Sequence, residues 1–168
     1  MSDVAKLEEG FERPQWVSAA GAAAWPDCVR RDTIATGRVD CRMAQRWVTG
    51  WKLDAGDRER LLQRFGPLFP DVVADHVTLR TGTDASTPLP RETIGQVAGE
   101  IDDGTGVQAL VVSIGGTTDR SDGSTYHITW SLDRRRGRRP VESNAVIARL
   151  GWRPLTQAIP IRLHPARF

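Results

Sequence analysis

The sequence predicts an α+β domain with antiparallel strands, and three observations point that way. Short β-branched runs bounded by Gly, Pro, Asp and Ser clusters recur between residues 76 and 132. A five-residue turn, Asp102-Asp103-Gly104-Thr105-Gly106, separates two of those runs as a hairpin would. Two further stretches carry apolar residues at helical spacing behind helix-starting polar residues. Strands with two or three helices, and hairpins among them, define the class.

Taken in order, residues 1–30 are weakly patterned, with Pro14 and Pro26 as breakers, and predict an irregular segment packed through Trp16 and Trp25. Residues 31–168 then form a single domain. Thr33 to Val39 reads as a short strand and Arg42 to Val48 as a helical turn or a second strand. A helix opens at Asp54 or Asp57, presents Leu61, Leu62 and Phe65 on one face, and stops at Gly66-Pro67. His76 to Arg80 is a strand, followed by a Thr-, Ser- and Pro-rich loop from Thr81 to Pro90. Thr93 to Ile101 and Gln108 to Ile114 flank the hairpin turn, and the polar turn Gly115 to Ser124 leads to a strand over Tyr126 to Leu132. An arginine-rich loop follows. Ser143 or Asn144 then caps a short helix over Ala145 to Leu150, and Ala158 to Leu163 closes the domain as a strand.

With 168 residues the chain can bury a core without disulfide staples, and 39% hydrophobic with 26% charged residues is ordinary for a globular protein. No apolar run is long enough to span a bilayer, and no basic segment leads into an apolar one at the N-terminus. A cytoplasmic protein with no membrane partner is expected, in the host cytoplasm if the gene is viral. Cys28 and Cys41 are too few for a disulfide framework and read as reduced thiols. Three histidines with no H-E-x-x-H or C-x-x-C spacing make a metal-free mechanism the expectation, with no metal and no cofactor. The net charge of +2 conceals 21 arginines against two lysines. Arginine suits phosphate, although a GC-rich coding sequence would produce the same bias on a solvated surface.

Two of the three histidines share one frame: His76-Val77-Thr78-Leu79 and His127-Ile128-Thr129-Trp130. With 14 threonines in the chain, a histidine has threonine two positions later roughly one time in twelve by chance, so two of three is roughly a one-in-fifty accident. Strand alternation projects His76 with Thr78 and His127 with Thr129, while Val77 and Ile128 pack behind. If the strands are neighbours, two imidazoles face one site. Across a phosphorus they supply a general base for the attacking oxygen and a general acid for the leaving oxygen. Two threonine hydroxyls can donate to the non-bridging oxygens. The competing explanation is two buried, hydrogen-bonded histidines in adjacent strands.

Two H-x-T motifs on strands, several tens of residues apart, resemble the 2H phosphoesterase superfamily, and the resemblance covers residues 50–165. It implies a two-lobed fold with antiparallel strands around a central cleft, and a catalytic set of His76, Thr78, His127 and Thr129. The run Tyr126-His127-Ile128-Thr129-Trp130-Ser131, the basic loop, and Pro140-Val141-Glu142-Ser143-Asn144 are similar to the branch holding phage anti-CBASS cyclic-oligonucleotide phosphodiesterases and RNA-repair-like enzymes. The histidines stand 51 positions apart, a short spacing for the superfamily. The implied activity is metal-independent hydrolysis of nucleotide phosphodiesters, with cyclic nucleotides or short oligonucleotides as partners. The alternatives are processing of RNA ends bearing 2′,3′-cyclic phosphate and a non-catalytic module that binds cyclic nucleotides. Which histidine is acid and which is base stays open.

Around the motifs, Arg134 and Arg136 in the basic loop Arg134 to Pro140 are candidate substrate contacts, as are Glu142 and Trp152. A solvated turn is the plainer account of such a charge run. Trp47, Trp51 and Trp152 are the tryptophans placed to stack on a base. Tyr126 falls on the core face by alternation. His164, followed by Pro165, reads as a surface or packing residue. Gly115-Gly116 and Gly104-Thr105-Gly106 are turn glycines, since no G-K-[ST] follows.

Overall fold

The computed structural model describes residues 46–168. The irregular segment over residues 1–30, the domain boundary at residue 31, the strand over Thr33 to Val39 and both cysteines lie outside them. The elements are β1 (Trp47–Leu53), α1 (Ala55–Arg64), β2 (Asp71–Val72), β3 (His76–Thr83), β4 (Ile94–Asp102), β5 (Val107–Ile114), β6 (His127–Leu132), a 3₁₀ turn (Arg134–Arg136), α2 (Glu142–Leu150) and β7 (Arg153–Arg167). Every strand pairing is antiparallel, so the described residues form an α+β domain, as the sequence predicts. No helix among them is long and apolar enough to cross a membrane.

The seven strands run in the order β2-β6-β5-β4-β7-β1-β3. β5 is buried on both faces, one against the main core and the other against α2. Leu110, Val112 and Ile114 join the main core with Trp51, Leu61, Val77, Ile128 and Trp130, while Ala109 and Val111 pack on Ile147 of α2. α1 forms where the sequence predicts it. The Asp54 carboxylate accepts the N–H groups of Gly56 and Asp57 at 3.1 and 3.2 Å, which caps the first turn, and Phe65 ends the helix before Gly66-Pro67. The Trp130 indole then donates to the Phe65 carbonyl at 2.6 Å and ties α1 to β6.

Several boundaries differ from the sequence reading. β1 occupies Trp47–Leu53, displaced toward the C-terminus from the expected turn or strand at residues 42–48. Gly50 lets β1 lie close against β3: a Cβ there would stand 2.1 Å from the Val77 carbonyl oxygen. β3 continues past Arg80 to Thr83, through residues read as loop. α2 begins at Glu142 and not at Ala145, without a side-chain cap. Ser143 therefore sits inside the helix, and its hydroxyl bonds Thr129 at 3.0 Å. The largest difference is β7, expected only over Ala158 to Leu163. Pro154, Pro160 and Pro165 disguise a 15-residue strand. Proline is tolerated because Pro154 and Pro160 pair with β4 alone and Pro165 with β1 alone, so the edge lacking a donor has no strand to bond.

The hairpin turn between β4 and β5 is organised by Asp103, whose Oδ1 accepts the N–H groups of Thr105, Gly106 and Val107 at 2.9, 2.8 and 2.9 Å. Its other oxygen pairs with Arg138, which anchors the arginine-rich loop to the turn. Burial opposes ionisation of this carboxyl, but those bonds hold its pKa down from 3.8 to about 2. A depressed folded-state value contributes stability above the unfolded pKa that is lost as pH falls through the folded one; the shift corresponds to roughly 2 kcal/mol. Asp103→Ala is expected to unfold in urea with a deficit of that size at pH 7. The deficit should shrink as the pH falls from about 4 toward 2; a constant deficit across that window would refute the assignment.

Candidate active site

The motif strands are far apart in the hydrogen-bonded order, β3 at one end and β6 next to the other, yet they touch. Alternation works as the sequence predicts: Val77 and Ile128 are fully buried in the core, and His76, Thr78, His127 and Thr129 line one cleft of about 450 Å³. The β5–β6 loop and the start of α2 complete its walls through Arg120, Asp122, Pro140 and Asn144. A larger cavity of about 820 Å³, between the end of α1 and Trp152, contains none of the four motif residues. Size favours that cavity, but convergent titratable groups favour the cleft.

Each histidine is anchored through Nδ1. His127 Nδ1 stands 2.8 Å from the Thr125 carbonyl, which can only accept, so Nδ1 carries the hydrogen and Nε2 is the remaining ring nitrogen. Burial pushes the His127 pKa below the usual 6.5 against the opposing bond to Thr125, and repulsion from Arg120, with that from His76 whenever its ring is charged, adds to the burial. The ring is thus neutral at pH 7, the form of a general base.

His76 Nδ1 stands 3.0 Å from Asp75 Oδ2. Asp75 is held below the ordinary carboxyl range: burial opposes its ionisation, but hydrogen bonds from Lys52 and His76 outweigh it. An ionised carboxylate accepts only, so His76 also carries hydrogen on Nδ1 and leaves Nε2 over. The Phe168 ring packs against the imidazole at 4.4 Å between centroids, with Lys52 Nζ 4.8 Å from the centre of that ring.

The Thr129 hydroxyl is engaged within the protein. It donates to the Pro140 carbonyl at 3.3 Å and lies 3.0 Å from Ser143 Oγ. It can reach a phosphate oxygen only by giving up that long bond. Arg120 enters from the β5–β6 loop, which folds back through bonds from Arg120 N–H to the Ser124 carbonyl at 2.7 Å and from Gly123 N–H to the Arg120 carbonyl at 3.0 Å. Only 7% exposed, Arg120 places Nη2 3.3 Å from the Leu79 carbonyl and 3.1 Å from Asp122 Oδ2. A fixed cation therefore stands among the motif residues.

The four residues expected to contact substrate do not line this cleft. Arg134 and Arg136 are exposed on the 3₁₀ turn, where Arg136 Nε pairs with Asp133 at 3.1 Å and the Arg134 N–H donates to Asp71 at 3.0 Å. The Glu142 carboxylate is committed to Arg138 at 3.0 Å and to the Arg139 N–H at 2.6 Å. Trp152 lies over Gly99, where a Cβ would meet its ring at 2.1 Å, and it lines the larger cavity. Trp51 is core, donating to the Glu92 carbonyl at 2.7 Å, with the buried Tyr126 edge-on at 5.8 Å. Trp47 is half-buried on β1. His164 is an exposed partner of Asp54 at 3.1 Å. Sequence reasoning missed Asp75, Arg120, Ser143 and Asn144. Asp75 stood beside a motif histidine, and Ser143 and Asn144 stood in the family-like run but read as helix caps; Arg120 carried no local signal. Among the described residues no group of three His, Cys, Asp or Glu side chains is placed to hold a metal ion. The chain matches no family model, no curated protein and no solved structure.

Because His127 is harder to protonate folded than unfolded, unfolding takes up a proton below 6.5. Its contribution to stability is thus complete above that value and declines as pH drops toward the folded pKa. Imidazole ¹⁵N spectra are expected to show His127 as the neutral Nδ1–H tautomer at pH 7. His127→Gln should flatten the slope of stability against pH just below 6.5. A His127 signal titrating at or above that value would contradict the assignment.

Proposed function

We propose that this chain is a phosphodiesterase that hydrolyses nucleotide phosphodiester bonds, above all in cyclic nucleotides and cyclic oligonucleotides, through a two-histidine mechanism that needs no metal. The observation that carries the reading is the convergence of both H-x-T motifs on one cleft, each imidazole held by Nδ1 to an acceptor. The strand order, with β3 at one end touching β6 near the other, is compatible with the two-lobed 2H phosphoesterase arrangement that the motifs resemble.

The environments divide the roles. Neutral His127 takes the proton from the attacking oxygen, either water or a neighbouring 2′-hydroxyl, as that oxygen bonds to phosphorus. In its protonated form His76, held at Nδ1 by the Asp75 carboxylate, delivers the Nε2 proton to the departing ribose oxygen as the P–O bond breaks. The products leave His127 protonated and His76 neutral, and exchange with solvent restores the pair. Arg120 and the Thr78 hydroxyl face the charge that accumulates on the non-bridging oxygens.

Incubation with EDTA and a panel of cyclic oligonucleotides, 2′,3′-cyclic mononucleotides and RNA ends tests this directly. Turnover should survive the chelator, and His76→Ala and His127→Ala should each lower kcat/KM by on the order of 10²-fold or more. Asp75→Asn should lower kcat by about 10-fold with less effect on KM, since it acts by positioning and stabilising His76. Chelator-sensitive activity, or full activity in both alanine variants, would overturn the mechanism. Binding without turnover would make the chain a nucleotide-binding module.

A further inference from the structure

Three buried side-chain polar atoms have no hydrogen-bond partner among the described residues: Arg120 Nε, Asn144 Oδ1 and Arg167 Nε. Two of the three belong to residues lining the candidate active-site cleft. Buried polar groups are nearly always paired, because an orphan forfeits its hydration and gains nothing in return. One is a donor and the other an acceptor, carried by different elements. Arg120 comes from the β5–β6 loop, and Asn144 from the first turn of α2.

The present contacts of Arg120 are exchangeable. Its Nη2 bond to Leu79 is long at 3.3 Å, and its ionic partner Asp122 is mostly exposed. Re-aiming the guanidinium toward an anion in the cleft would satisfy Nε and Nη2 together, as a bidentate pair. The Asp122 carboxylate also lines the cleft and would repel that anion unless Arg120 lay between them. Turning the Asn144 amide toward the cleft likewise offers its oxygen to a donor on the same ligand.

We propose that Arg120 grips a non-bridging phosphate oxygen of the bound nucleotide and that Asn144 accepts a hydrogen bond from a donor next to that phosphate, a ribose hydroxyl or a base amine. This rests on the phosphodiesterase reading and adds the groups that recognise the substrate. The pairing is the complement of a nucleotide, an anionic acceptor and a neutral donor a few bonds apart. A bare phosphate would leave Asn144 unsatisfied.

Calorimetric titration of the full chain with inorganic phosphate, adenosine 3′-monophosphate, its 2′-deoxy analogue and purine riboside 3′-monophosphate tests both assignments. Arg120→Met should weaken all four by on the order of 10- to 100-fold, the range for losing a charge-assisted bidentate contact. Asn144→Ala should leave phosphate unchanged and weaken the adenosine nucleotide about 10-fold. That loss should vanish for whichever analogue lacks the donor, which tells hydroxyl from amine. Arg120→Met binding phosphate like the wild type, or Asn144→Ala binding all four unchanged, would overturn the respective half. Should Arg120→Met fail to fold, the Arg120 Nε–H resonance of the wild-type protein decides, identified by its loss in Arg120→Lys. It should move downfield as phosphate is added, and an unmoved resonance overturns the assignment. Arg120-dependent binding with no turnover would remove the hydrolytic reading while leaving this one. Turnover by Arg120→Met with unchanged KM would do the reverse.

Discussion

The strands β2 and β3 are consecutive in the chain, separated only by residues 73–75, yet they occupy the two ends of the seven-strand order. Four virtual Cα bonds from Val72 to His76 reach at most about 14 Å. A flat seven-stranded sheet spans roughly twice that, six spacings of about 4.8 Å. The sheet is therefore obliged to curl until its ends meet. The seam is stitched by the N–H groups of Val73 and Ala74, which donate to the Trp130 and Thr129 carbonyls at 2.9 and 3.0 Å. Ala74, fully buried, takes φ 44°, a left-handed conformation that costs a residue with a Cβ roughly 1 kcal/mol. That strained residue turns the chain from its run alongside β6 into β3, two positions before His76. Closure of the sheet and assembly of the cleft are thus one event.

From that geometry follows the asymmetry of two motifs that look alike in sequence. His127 lies beside β5, paired with Val111, and is buried deeply enough to disfavour its charge. His76 lies beside β1, opposite Lys52, where the exposed side of the seam admits the Asp75 carboxylate and its lysine partner. One imidazole meets a guanidinium and low dielectric, the other a carboxylate. Such divergent environments are how a pair of like groups divides acid from base work. The H-x-T frame itself carries none of this information.

Local order was therefore legible and long-range order was not. Alternation placed Val77 and Ile128 in the core and the motif residues outside it, and Asp54 with Gly66-Pro67 bounded α1, because each depends on near neighbours in sequence. β7 was hidden because its prolines contradict strand propensity, and only the change of partner from β4 to β1 along its length makes them harmless. Ser143 looked like a cap; its hydroxyl instead crosses to Thr129, a contact between residues 14 apart that no capping pattern reports. Arg120 had no local signal, since its role arises from a loop folding onto β3.

The arginine excess shows how position outweighs number. The run from Arg134 to Arg139 is the densest basic stretch in the chain, but Arg138 is spent on Asp103 and Glu142, and Arg136 on Asp133. Arg153 and Arg162 are likewise paired with Glu100 and Asp54 on the surface. The exposed pairs of Arg136 and Arg153 hold loops in place and contribute little energy, because water screens them, and the Arg138 guanidinium is already committed to the buried Asp103. Arg120 differs in burial. A guanidinium withdrawn from water, with one N–H unsatisfied and another shared between a long bond to a carbonyl and a mostly exposed carboxylate, gains more from an anion than a solvated arginine would. A single cation at the seam, shielded by the same curl that brings His76 to His127, can therefore outweigh five at the rim.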